Sequence, residues 1–97
     1  MKIHEVELLY QRYKMLVHLI EDYRKACAFV RANMDKVQLT SLILNCPDER
    51  VTVNGFDAFP VNPKLILGFL EDTLERMQKE QQRIIKLFED MNIVLEN

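Results

Sequence analysis

Two long stretches of the chain carry apolar residues at alternating intervals of three and four positions, with a short segment of β-forming residues between them. This spacing keeps a stripe of side chains on one side of a helix. The first stripe consists of Val6, Leu9, Tyr13, Leu16, Ile20, Tyr23, Cys27, Val30 and Met34. The second consists of Leu67, Leu70, Leu74, Met77, Gln81, Ile84, Phe88, Met91 and Leu95. Two matched stripes around a reversal predict a pair of long antiparallel helices of the coiled-coil type.

The limits of the two helices follow from their flanking residues. The pattern predicts a first helix over 4–33, which contains no proline or glycine but has no clear capping residue. The second is predicted over 62–91, since Asn62 is a favourable N-cap and Pro63 suits the first helical position. Residues 92–97 form an apolar tail, which we expect to dock on the helices rather than remain in solvent.

The middle segment, 36–59, predicts a β-hairpin or a small three-stranded meander. Residues that favour strands occupy 37–44 and 50–56, and Pro47 with Asp48 suits a turn within a loop of four or five residues. The Asn54-Gly55 pair is a second turn signal and would add a third strand. A lone hairpin is marginally stable, so this one must rest on a helix or on another hairpin. The fold class is therefore α+β, helix–β-hairpin–helix, in a single domain over 1–97.

This layout is similar to the outline of a β-type prefoldin subunit, which also places a hairpin between heptad-patterned helices. The resemblance is one of topology and carries no sequence motif, and the helices here are shorter than the coiled-coil arms of that family. It implies an oligomer built from hairpins and brings a prefoldin-like chaperone among the candidate functions.

Composition limits the classes of function. The chain has 97 residues, of which 48% are apolar, enough for a folded core in one domain. Its net charge of −2 argues against binding of nucleic acid polymers. There is no secretory signal and no apolar run long enough to span a membrane. Two cysteines do not make a disulfide framework. These features predict a cytoplasmic protein without a membrane partner.

The first helix has a wider apolar surface than contact with one neighbour requires. Beyond the main stripe lie further apolar residues, Leu8, Tyr10, Met15, Val17, Leu19, Ala26, Ala28 and Phe29. A helix with a single neighbour needs an apolar stripe of about 100°. We therefore expect a homo-oligomer, a dimer or a dimer of dimers, in which hairpins can pair edge to edge. The predicted interface residues are Leu16, Ile20, Tyr23, Gln81, Ile84 and Phe88.

Two residues interrupt the pattern of the second helix. Gln81 is polar at a stripe position, where an amide either specifies register and oligomeric state or marks a place where the seam opens. Gly68 lies inside the helix at a cost of about 1 kcal/mol relative to alanine. The expected reason for Gly68 is close approach of another backbone, from the first helix or from the hairpin.

The first helix also holds all three tyrosines, close to basic residues. A tyrosine with nearby lysine and arginine can stack on a nucleobase and neutralise a phosphate. The candidate ligand-binding residues are Tyr10, Tyr13, Lys14, Arg24 and Lys25. The alternative interpretation is that Tyr13 and Tyr23 belong to the core while the charges form a solvated network.

No pattern in the sequence predicts catalysis or a cofactor. The only serine lies in a predicted strand, there is no glycine-rich loop, and His4 and His18 would be about 21 Å apart on one helix, too far to share a metal. The first functional hypothesis is a non-enzymatic oligomeric adaptor or inhibitor that binds another protein through apolar helical surface. The second is a protein that sequesters a small anionic ligand between subunits, for example in a phage-encoded block of host defence. The third is the prefoldin-like chaperone.

Overall fold

The computed structural model, which describes residues 2–95, contains two long helices joined by a two-stranded hairpin. Helix α1 spans Ile3–Ala32, strand β1 Leu42–Cys46, strand β2 Glu49–Val53, and helix α2 Pro63–Asp90. This order confirms the predicted α+β fold. The observed helix ends each differ by one residue from the predicted ranges 4–33 and 62–91.

The start of α2 is capped as the sequence predicts. The Asn62 side chain accepts a hydrogen bond of 2.9 Å from the backbone N–H of Lys64, which satisfies one of the free donors of the first turn. Pro63 follows at the first helical position. At the start of α1 the backbone N–H of Lys2 donates to the Glu5 carboxylate over 3.3 Å.

The end of α2 is a Schellman motif. Asn92 has a φ of 59°, and its N–H donates to the carbonyl of Glu89 over 3.0 Å. The N–H of Ile93 donates to the carbonyl of Phe88 over 2.8 Å, which completes the motif. Ile93 and Leu95 then pack against the core, so the predicted apolar tail docks, with Val94 directed outward. Its last two positions, 96–97, lie outside the described residues.

The main core lies between the two helices and is built from both stripes. Its buried residues are Tyr13, Leu16, Ile20, Ile84 and Phe88. Farther along α1, Cys27 and Val30 are also buried. Two ion pairs connect the helices at their exposed margins, Arg12 with Glu80 at 3.3 Å and Arg31 with Glu71 at 3.0 Å. These pairings run in opposite directions along the two helices, so α1 and α2 are antiparallel.

The hairpin loop is shorter than the predicted four or five residues. Asn45 pairs with Arg50 and Cys46 with Glu49, so only Pro47 and Asp48 lie between the strands. Proline has a fixed φ and no N–H to contribute to a ladder, so it suits the loop and leaves its neighbours free to pair.

The strands are also shorter than predicted, and within the described residues the sheet has two strands. Leu42 pairs with Val53 as the last rung, and Gly55 then takes a φ of +91°. The carbonyl of Gly55 accepts from the N–H groups of Ala58 and Phe59, which forms a turn instead of a third strand. Since the chain turns away there, residues 37–41 have no strand to pair with.

The hairpin does not rest on the helix pair. Within 2–95, no strand residue has its Cα within 8 Å of a helix Cα. All ten strand residues are exposed. The radius of gyration is 17.5 Å, against about 13 Å for a compact chain of this length. The sequence predicts that the hairpin packs on a helix or on another hairpin. Within the described residues, neither strand packs closely on a helix of the same chain.

Candidate interaction surfaces

The hairpin has one apolar and one mainly polar face. Residues directly opposite each other in an antiparallel pair lie on the same side of the sheet, and side chains alternate along each strand. The pairs Leu42 with Val53 and Leu44 with Val51 therefore share one face, together with Cys46 and Glu49 next to the turn. The opposite face carries Ile43, Asn45, Arg50 and Thr52.

The apolar face of the hairpin is open to solvent. The exposed fractions are 41% for Leu42, 53% for Leu44, 45% for Val51 and 39% for Val53. An antiparallel sheet normally packs such a face on a core and leaves the other face to water. Within residues 2–95 no layer of side chains packs over this face.

An apolar groove adjoins this face at the base of the hairpin. Its lining residues are Leu39, Leu42, Val61, Leu65, Ile66 and Phe69. Leu42 belongs to both features and makes them continuous. Leu65 and Phe69, on the first turns of α2, are 68% and 64% exposed. We call Leu42, Leu44, Val51, Val53, Leu65 and Phe69 together the hairpin surface.

Gly68 lies on α2 three residues after Leu65, which makes the two neighbours on the helix surface, and directly before Phe69. The expected close approach of α1 or the hairpin to this glycine is wrong. A Cβ atom built at position 68 meets nothing within 4 Å. Packing within the chain therefore does not explain the absence of a side chain there.

A second open apolar area follows α1. Leu8, Met15 and Phe29 are 52%, 48% and 61% exposed, and they lie at helical spacing with the partly buried Leu19 and Ala26. We call these five residues the α1 flank. The other apolar side of the same helix is buried against α2.

The predicted interface residues lie at the contact between the chain's own helices. Leu16, Ile20, Ile84 and Phe88 are buried in the helix pair, and Tyr23 and Gln81 are half-buried. The hairpin surface is not among the residues predicted from the sequence. The alternation of Leu42 with Leu44 and of Val51 with Val53 is visible in the sequence, but only the pairing register shows that these residues share a face.

The predicted ligand-binding residues do not converge on one point. Tyr13 is buried in the core, and the Lys14 ammonium lies 4.9 Å from the centre of the Tyr10 ring, in a cation–π contact. Lys25 pairs with Glu21 at 3.1 Å within α1. Arg24 lies 14 residues beyond Tyr10, about 21 Å along the helix.

Glu80 is the most strongly perturbed acid among the described residues. Hydrogen bonds and charge attraction from Arg83 and then Arg12 lower the pKa of its carboxyl, against a weaker opposing effect of burial. The arrangement stabilises the carboxylate and joins the two helices at their margin. It is an ion-pair network, and two of its members, Arg12 and Arg83, also line a shallow apolar cavity with Leu8, Leu9 and Leu87.

The described part of the chain contains neither a metal-binding cluster nor a membrane-spanning helix. Residues 2–95 contain no cluster of three or more His, Cys, Asp or Glu residues placed to hold a metal ion. Neither helix has a segment both long enough and apolar enough to cross a membrane. Comparison of the chain with protein-family models, curated proteins and solved structures finds no match.

Proposed function

We propose that the protein is a non-enzymatic interaction protein, an adaptor or inhibitor that binds another protein through the α1 flank. The observation that carries this proposal is the exposure of Leu8, Met15 and Phe29. Their helix already buries its other apolar side against α2, so this side is available to a partner. Exposed apolar side chains aligned along one face of a helix are a candidate interaction site.

The chemistry of the flank indicates the kind of partner. Leucine, methionine and phenylalanine at helical spacing form a ridge of flexible and aromatic side chains, which suits an apolar helix or groove on another protein. Arg12 and Asp22 lie at the same helical spacing between the apolar positions and would form polar contacts around them. Of the two cysteines, which are both free, Cys27 is buried and Cys46 exposed. Free thiols agree with the proposed cytoplasmic location.

Site-directed photo-crosslinking in the source cells tests the proposal. A photoreactive amino acid placed at Met15 should give a discrete adduct with one heterologous protein, identified by mass spectrometry. The matched control places the same group at Arg24, which is exposed on α1 and lies nine residues, or about 180°, around the helix. Absence of an adduct at position 15, or equal adducts at both positions, would contradict the proposal.

A further inference from the structure

We propose that a second copy of this chain covers the hairpin surface, with the hairpin of each copy packed into the groove beside α2 of the other. This inference goes beyond the proposed function, because it concerns a different surface and a partner present in the purified protein. It also replaces edge-to-edge pairing of hairpins, expected from the sequence, with packing of their apolar faces.

The hairpin needs a cover to hold its conformation. Two isolated strands are marginally stable in water, and three strands or a packed helix are normally required. In this chain the strands Leu42–Cys46 and Glu49–Val53 make no close backbone contact with either helix within the described residues, and helix side chains adjoin the hairpin only at its base, beside Leu42. Every folded chain therefore needs a packing partner for its hairpin. A second copy of the chain can be that partner, and no other protein is then required.

The hairpin surface has two apolar parts. One is the exposed face of Leu44 and Val51, and the other is the groove beside Leu65 and Phe69. A two-fold axis between two copies would place the exposed face of each on the groove of the other, an isologous contact. Leu42, which belongs to both parts, would lie at the centre of such a contact.

The size of the surface agrees with a dimer. Complete burial of the exposed area of these six residues would remove at most roughly 600 Å² per chain and roughly 1,200 Å² in total, which is the lower end of specific protein interfaces. None of the six is charged, and the one acid on this face of the hairpin, Glu49, lies at its end beside the turn. The interface would thus be small and apolar.

Gly68 provides an independent indication. It weakens α2 by its lack of a side chain, while no atom of its own chain occupies the space above it. It lies beside Leu65, one helical turn along α2, at the margin of the area that the second hairpin would contact. A second copy supplies the close neighbour that the single chain lacks.

Sedimentation equilibrium of the purified full chain at micromolar concentrations tests the proposal with two neighbouring substitutions. The wild type should be a dimer, and Leu44→Glu should weaken its association by about 100-fold, because a carboxylate would be buried in the apolar contact. Ile43→Glu is the matched control, since Ile43 is 47% exposed on the same strand but on the opposite face. It should change the dissociation constant less than about threefold.

A second pair of variants leaves the hairpin sequence intact. Leu65→Glu should weaken association as Leu44→Glu does, whereas Lys64→Glu, at the adjacent exposed position, should not. Circular dichroism checks that the helix pair remains folded in each variant. A monomeric wild type, equal effects of Leu44→Glu and Ile43→Glu, or undisturbed association in Leu65→Glu would each overturn the proposal. None of these outcomes involves the Met15 crosslink, so the two proposals can fail separately.

Discussion

Arg12 of α1 and Glu80 of α2 are joined by a hydrogen bond of 3.3 Å from the guanidinium to the carboxylate. Arg83, three residues farther along α2, donates to the same carboxylate. Glu80 therefore contacts one cation on its own helix and one on the facing helix. Its side chain is 26% exposed, less than either arginine, so this acid is the centre of the contact.

The first prediction concerns pH. Because the pKa of Glu80 is lowered in the folded chain, its contribution to stability is complete above the ordinary carboxyl pKa and is lost as the pH falls through the lowered value. Glu80→Gln should therefore be slightly less stable than the wild type at pH 7, and the difference should shrink as the pH decreases. Urea unfolding over a pH series measures this.

Glu75→Gln is the control for this measurement. The Glu75 carboxylate pairs with Lys79 at 3.1 Å within α2 and does not connect the helices. Because this pair is exposed, we expect Glu75→Gln to lower the free energy of unfolding at pH 7 by less than Glu80→Gln does. Parallel pH profiles for the wild type and Glu80→Gln would refute the assigned role of Glu80.

The second prediction concerns the helix-pair core. Phe88 is 1% exposed, and Phe88→Ala should lower the free energy of unfolding by about 3–5 kcal/mol, through lost burial and the cavity left behind. Lys86→Ala, two residues away and exposed, should change it by less than about 0.5 kcal/mol. Urea unfolding followed by circular dichroism gives both values. A loss below about 1 kcal/mol for Phe88→Ala would mean that the core collapses around the gap.

The third prediction concerns the end of α2. Asn92 has a φ of 59°, a conformation that costs β-branched residues most. Asn92→Val should lower the free energy of unfolding by about 1–2 kcal/mol, whereas Asn92→Gly should preserve it, since glycine is the preferred residue at this position. Urea unfolding of the two variants in parallel is the measurement. Equal stability of both would show that the motif does not hold the end of the helix.

The fourth prediction separates the two possible environments of Gly68. In a Leu44→Glu background, where association is weakened, Gly68→Ala should raise the free energy of unfolding by about 1 kcal/mol, because the space is open and alanine favours the helix. In the wild-type background the gain should be smaller, because the added methyl group meets the second copy. The same gain in both backgrounds would place Gly68 outside the interface.

Much of the fold could be predicted from local features. The Asn62 cap and the Pro63 start of α2 are present as predicted, and the same helix carries ion pairs of Asp72 with Arg76 and of Glu75 with Lys79. Each depends on residues within one turn of helix, so the sequence alone contains the information. The candidate ligand residues are different, since Tyr10, Lys14 and Arg24 share a sequence region but spread along the length of α1.

The sequence by itself determined the two helices, the capped start of α2 and the position of the hairpin between the helices, because these follow from neighbours a few residues apart. Tertiary structure decided which apolar residues stay open to solvent. The strand register aligned Leu44 with Val51, and the placement of the hairpin away from α1 and α2 left that face uncovered. Long-range packing also decided that Gly68 faces open space. Such outcomes depend on where distant segments come to lie, which no local spacing encodes.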